Sequence, residues 1–299
     1  MDKFKGAGVA LVTPFKEDQS IDFKALEKLV NRQIKNGVDY LVIIGSTAES
    51  VTLSLEEKKL IKEFVSVINK GRLPMVLGIG GNNTKQVVEK FDYYDMSDID
   101  AILSVSPNYN KPTQEGIYQH YRAIGQATDK PIILYNVPGR TGSNVCAETT
   151  IRMAHDFKNV IGIKEASGDL VQIMNIIKNT PDDFLMISGD DVLALPTISV
   201  GGAGVISVIG QAYPSLFSEM IREGLKGNFK NAYQTHYKLM ECVDLIFREG
   251  NPAGIKSLLN NLDICSSIVR LPLVAVTKGL KEKINNFNFQ LKEEYQKQV

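Results

Sequence analysis

The stretch "VIGIKEASGDL", residues 160–170, decides the reading of this chain. Residues 160–163 are apolar without alternation, the pattern of a strand covered on both faces, as in a parallel sheet. The run then delivers Lys164, an ammonium group where a hydrophobic residue would cost less to bury. One architecture has to explain both features.

Seven further runs of the same kind flank it. They are "GVALVTPF" (8–15), "YLVIIGS" (40–46), "PMVLGIG" (74–80), "AILSVSP" (101–107), "PIILYNV" (131–137), "FLMISGD" (184–190) and "GVISVIG" (204–210). Amphipathic helical patterns separate them. Residues 22–37 carry apolar positions three and four apart and end on a glycine suited to a helix C-cap. Residues 54–71 open on Ser54, hold acidic residues in the first turn and close on Lys70 and Gly71. Eight alternating strand–helix units predict an α/β fold, a closed (β/α)8 barrel over residues 1–224. An open doubly wound sheet is the alternative. It usually carries a Gly-rich first turn, and "VTPFKED" (12–18) is not one. Beyond residue 224 the strands stop. Residues 228–247, 251–262 and 275–299 read as helices, with Pro252 at a helix start. Residues 225–299 are therefore expected to form a helical C-terminal region packed on the barrel.

Composition narrows the function. The 299 residues are 43% hydrophobic and carry 34 basic and 34 acidic side chains, so nothing suggests a polyanion or a membrane surface as partner. No apolar run approaches the roughly 18 residues of a membrane span. The short apolar stretch near residue 10 is broken by Pro14 and reads against a signal peptide. Cys146, Cys242 and Cys265 lie far apart, without zinc spacing and odd in number, as in a reducing cytoplasm. The three histidines form no metal-binding pattern.

A barrel of this kind holds its chemistry at the carboxyl ends of its strands. Those ends carry hydroxyls, Lys164 and Arg140, but no cluster of carboxylates or histidines. Lys164 either pairs with Glu165 or another carboxylate, or is held neutral by burial. A neutral amine is a nucleophile for carbonyl carbon, giving a Schiff base. Tyr135, at the end of the adjacent strand, could shuttle protons through such an intermediate, or be a core aromatic with a satisfied hydroxyl. Arg140 offers bidentate recognition of a carboxylate, or a surface ion pair. Ser46 and Thr47 occupy a turn that could hold a second carboxylate or relay a proton.

The motifs "GSTAES" (45–50), "YNVPGRTG" (135–142), "GIKEASGD" (162–169), "SGDD" (188–191), "GVISVI" (204–209) and "RLPL" (270–273) occur in this order over nearly the whole chain. In them the chain resembles the dihydrodipicolinate synthase / N-acetylneuraminate lyase superfamily of pyruvate-dependent lyases, and within it the 4-hydroxy-tetrahydrodipicolinate synthases. The resemblance implies a cytoplasmic TIM-barrel tetramer, built as a dimer of dimers, that uses no cofactor. It implies condensation of pyruvate with L-aspartate 4-semialdehyde, towards diaminopimelate and lysine. By position, Lys164 would form the imine and Tyr135 would donate and accept protons. Ser46 would join it in a relay completed by Tyr109 of a neighbouring subunit. Thr47 and the backbone at Ile206 would hold the pyruvate carboxylate, Gly189 would line the pocket, and Arg140 would bind the semialdehyde's carboxylate.

Two positions depart from the family pattern. Ser46 stands where threonine is usual and lacks the methyl that restricts χ1. Asn108 stands for one of two tyrosines in "PNYN" (107–110). Lysine-sensitive relatives also place a glutamate, a tyrosine and a histidine around the effector, beside a serine and an asparagine. This chain keeps Ser50 and Asn82 but has Gln86, Asn108 and Lys58, so weak or absent inhibition by lysine is expected. The other functions in view are an aldolase acting on N-acetylneuraminate or a 2-keto-3-deoxy sugar acid, and a catalytically silent pyruvate-binding barrel.

Overall fold

In the computed structural model, which describes residues 1–296, the eight apolar runs become eight parallel strands closed into one barrel. They are β1 (Gly6–Ala10), β2 (Tyr40–Ile43), β3 (Met75–Gly78), β4 (Ala101–Val105), β5 (Ile132–Asn136), β6 (Val160–Glu165), β7 (Leu185–Ser188) and β8 (Gly204–Ser207). Each pairs with the next, and β1 closes on β8. The ladders are shorter than the runs because each chain segment leaves the sheet while still buried. Leu11 and Val12 are core residues beyond β1, and the Val12 N–H is taken by the Gln211 side chain at 2.8 Å. β1 also begins two residues before its apolar run. Gly6 has φ +103°, and a Cβ there would lie 2.3 Å from the Asp39 carboxylate, so only glycine can start the strand.

The helices are α1 (Phe23–Lys35), α2 (Leu55–Asn69), α3 (Thr84–Tyr93), α4 (Gln114–Gln126), α5 (Pro138–Thr141, a single turn), α6 (Ala147–Asp156), α7 (Leu170–Asn179), α8 (Ala194–Ser199), α9 (Pro214–Leu225), α10 (Phe229–Arg248), α11 (Ala253–Asn261) and α12 (Lys278–Gln296). Asp22 caps α1 by accepting from the Ala25 N–H, with Gly37 left-handed just past its end. Ser54 and Glu57 form a reciprocal capping box on α2, and Lys70 takes the left-handed closing position. Pro252 occupies the cap before α11, which begins one residue later. α9, the eighth barrel helix, runs through the expected junction at residue 224, and α10 packs against it and against α8. Residues 297–299 of the expected last helix lie outside the described residues.

The core has two layers. An inner one fills the barrel with Phe4, Tyr40, Val76, Ile133, Leu185 and their neighbours. Phe4 closes the end where the strands begin, edge-on to Tyr40 at 5.8 Å between ring centroids. A larger outer layer lies between strands and helices. Among the described residues no helix is long and apolar enough to cross a membrane.

Candidate active site

The orientation of Lys164 depends on one irregularity in the sheet. Side chains on a strand alternate between faces. In β6, Val160 faces the outer layer and Ile161 the barrel interior. Strict alternation would then turn Lys164 outward. Instead, Ile132 of β5 pairs with Val160 while Ile133 pairs with Gly162, so β6 carries one extra residue. The bulge resets the alternation. Ile163 faces the outer layer, and Lys164 points into the barrel opposite Tyr135. Only glycine can occupy position 162, where a Cβ would meet the Leu185 carbonyl oxygen at 2.5 Å.

Glu165 consequently faces away from Lys164, and the possible Lys164–Glu165 pair does not form. Its carboxylate accepts from Asn136 Nδ2 (2.9 and 3.0 Å), the Ser167 N–H (2.7 Å) and Gln172 Nε2 (2.9 Å). Lys164 Nζ instead lies 4.4 Å from the centre of the Tyr135 ring. Both side chains line a cavity of about 440 Å³ at the carboxyl ends of the strands, with Ser46, Thr47, Arg140 and Gly189. Lys164 is buried at the floor and Arg140 is exposed at the rim.

Burial is the main influence on both floor groups. It pulls the Lys164 ammonium down to about 8, opposed by the charge of Asp191 and helped by that of Arg140. It pushes the Tyr135 phenol up, while Arg140 and a hydrogen bond with Ser46 pull it back. Asp191 is itself buried. Desolvation raises its pKa, and the Ser207 hydroxyl with the N–H groups of Ile209 (2.9 Å) and Val208 (3.1 Å) lowers it. The floor thus joins an amine with an accessible neutral form and a phenol, with the buried Asp191 carboxyl behind it acting on the charge of the amine. That combination suits attack on a carbonyl and stabilisation of a cationic imine.

The cavity brings together Lys164, Tyr135, Ser46, Thr47, Arg140 and Gly189. It does not include two other expected residues. Ile206 lies within β8 in the inner core, and Val208 lines the cavity instead. Tyr109 is 87% exposed, with φ +69°, and does not line its own chain's cavity. Other contributors were not anticipated. Asp190 of "SGDD" lines the cavity, and Asp191 beside it is buried and acts on Lys164 through its charge. Asn251 lines the wall and donates from Nδ2 to Thr47 Oγ1 at 3.0 Å. Met240, Val243, Asp244 and Phe247 of α10 complete the mouth. Among the described residues no group of three or more histidines, cysteines or carboxylates could hold a metal ion.

Comparison with known proteins agrees with this fold. The model of the dihydrodipicolinate synthetase family matches residues 3–290. A 4-hydroxy-tetrahydrodipicolinate synthase of Flavobacterium psychrophilum is 56% identical over 97% of this chain and 99% of its own. One from Cytophaga hutchinsonii is 50% identical over 99% of each. The crystal structure of the enzyme from Cyanidioschyzon merolae, solved with lysine bound, superposes with a TM-score of 0.93 at 36% identity, covering 96% of this chain and 98% of that one. The chain belongs to the dihydrodipicolinate synthetase family.

Proposed function

We propose that the protein is a 4-hydroxy-tetrahydrodipicolinate synthase of the cytoplasm that condenses pyruvate with L-aspartate 4-semialdehyde through an imine on Lys164. The neutral amine adds to the ketone carbon of pyruvate, and Tyr135 protonates the departing hydroxyl as water. Tyr135 then takes a proton from the pyruvate methyl group to give the enamine, whose carbon attacks the aldehyde. The protonated imine nitrogen is the electron sink, so the reaction calls for no cofactor or metal. Thr47 and the backbone at Ile206 hold the pyruvate carboxylate, with Gly189 lining the pocket. Arg140 holds the carboxylate of the second substrate. Residues 1–224 form the catalytic barrel, and the helical region that follows completes its mouth through α10 and Asn251.

The observation that carries this reading is the register pair Tyr135–Lys164, buried at the floor beneath an arginine. Ser46 and Tyr109 extend the proton relay from Tyr135. Tyr109 would come from a second subunit of a tetramer built as a dimer of dimers. An exposed tyrosine in the left-handed region supports that role, since such a conformation is rarely adopted without a purpose. An aldolase acting on a sugar acid would share Lys164 and Tyr135, but its polyol substrate calls for neutral partners where Arg140 stands. A silent pyruvate-binding barrel has no use for a desolvated amine beside a phenol.

Borohydride reduction in the presence of pyruvate, read by intact mass, tests the imine. The wild-type chain should gain the reduced pyruvate adduct and Lys164→Ala should not. Turnover with aspartate semialdehyde, set against N-acetylneuraminate and 2-keto-3-deoxy sugar acids, separates synthase from aldolase. Ser46→Thr should retain turnover, whereas Ser46→Ala should lower it by about 10²-fold or more.

A further inference from the structure

We propose that Asn251 is a positioning residue that fixes the Thr47 hydroxyl as a donor to the pyruvate carboxylate while anchoring Arg140 from its backbone. The inference rests on the carboxylate-binding roles given to Thr47 and Arg140 above. Asn251 lies between α10 and α11, 204 residues from Thr47 and 111 from Arg140, and is 7% exposed in the cavity wall. Its Nδ2 donates to Thr47 Oγ1 at 3.0 Å, and its carbonyl oxygen accepts from Arg140 Nη2 at 2.9 Å. Its Oδ1 is buried without a hydrogen-bond partner among the described residues.

A hydroxyl has one proton and two lone pairs. When Asn251 donates into one lone pair, the Thr47 proton is free to go elsewhere, and a carboxylate can only accept. The amide therefore sets the direction of the Thr47 hydroxyl before substrate arrives. At Arg140, the carbonyl takes one guanidinium N–H and fixes the plane in which the remaining donors lie. The unpaired Oδ1 argues against a purely structural asparagine. Buried polar atoms are almost always satisfied, and an exception calls for a reason. Here the reason is that rotating the amide to turn Oδ1 towards Thr47 would make the hydroxyl donate its one proton to Asn251, leaving none for the substrate. The segment is also tied to the turn bearing Thr47 through Lys256 and Glu49, so the bond is made between two fixed elements.

The test compares Asn251→Ala, Asn251→Asp, Thr47→Val and the double variant Thr47→Val/Asn251→Ala. Half-saturation by pyruvate is read from borohydride trapping without second substrate, and KM and kcat are then measured for both substrates. Asn251→Ala should raise pyruvate half-saturation about tenfold, and Asn251→Asp should raise it further. The aspartate would draw the Thr47 proton to itself and repel the substrate carboxylate. The semialdehyde KM should stay near wild type in Asn251→Ala, because the carbonyl facing Arg140 remains. A general structural defect would move both. In the Thr47→Val background, Asn251→Ala should add little to the pyruvate effect. Unchanged pyruvate half-saturation in both Asn251 variants, or effects that add in full to Thr47→Val, would overturn the proposal. If Thr47→Val itself leaves pyruvate half-saturation unchanged, the role given to Thr47 fails and the proposal goes with it. Asn251→Asp, nearly isosteric, carries the same comparison if the alanine variant does not fold.

Discussion

The ammonium of Lys256 on α11 meets the carboxylate of Glu49, in the turn after β2, at 2.5 Å with neither side chain exposed. Lys256 also donates to the Ile268 carbonyl at 2.8 Å and lies 4.1 Å from the centre of the Phe15 ring. The second Glu49 oxygen accepts the Arg270 N–H at 2.9 Å. Removing one member of a buried pair strands the other charge, whereas removing both does not. Lys256→Met should therefore cost about 3–5 kcal/mol of stability. Glu49→Gln/Lys256→Met should recover much of it. Urea unfolding of the three proteins measures this, and a double variant as unstable as the single one would refute the charge argument.

Imine formation should rise with pH around the Lys164 pKa of about 8. The nucleophile is the neutral form, so the rate grows as the proton leaves and levels off above the midpoint. With that pKa, about a tenth of the chains are competent at pH 7, against less than about a thousandth for an unperturbed lysine. Asp191 favours the charged form, so Asp191→Asn should move the midpoint down. Arg140 disfavours it, so Arg140→Ala should move the midpoint up. Single-turnover trapping against pH checks both directions, and midpoints that stay put in both variants would remove the assigned influences.

Gly162→Ala should lower activity without touching any group that contacts substrate. Its methyl would press on the Leu185 backbone, and overpacking of this kind costs about 1–3 kcal/mol. Relief by losing the bulge would turn Lys164 out of the cavity. Trapping should therefore fall in the fraction that remains folded, as judged by near-UV circular dichroism. A folded variant with wild-type trapping would show that the bulge does not set the lysine's direction.

Lysine should inhibit weakly or not at all. Lys58 is partly buried, and desolvation, followed by the nearby Lys90 charge, holds its pKa below the ordinary range. Asn82 is engaged with the Asn108 carbonyl at 3.1 Å, and Gln86 is exposed but uncharged. A neutral amide in place of a carboxylate forgoes a charge-assisted bond of about 1.5–3 kcal/mol to a ligand ammonium. Activity measured across a lysine titration should be flat below millimolar concentration. A steep sub-millimolar response would contradict this.

The barrel was legible because a strand buried on both faces must be apolar throughout, and eight such runs at regular spacing leave few architectures. Lys164 and Tyr135 were legible because polar groups at the ends of those runs stand out. The face each one takes was not, since a bulge depends on the partner strand and "VIGIKE" (160–165) reads the same with or without it. Asn251 and Lys256 were hidden for a related reason. Their partners lie more than two hundred residues away in sequence, and "NPAG" (251–254) looks like an ordinary helix start. The α10 wall was hidden too, because apolar residues at helical spacing look alike whether they face a core or a cavity.

Phe4 and the inner layer stop the barrel at the end where its strands begin, so the cavity is a well with a single mouth. Lys164 lies at its floor and Arg140 at its rim. A dead-end passage imposes a queue. With the proposed roles, the molecule destined for the lysine would have to descend before the one held by the arginine takes its place above, and a premature arrival at the rim would obstruct the first. Under the proposed mechanism, the imine at the floor would keep the first occupant from backing out while the second enters. The product would then leave by the same opening, so departure would clear the well only once the lysine had released its carbon.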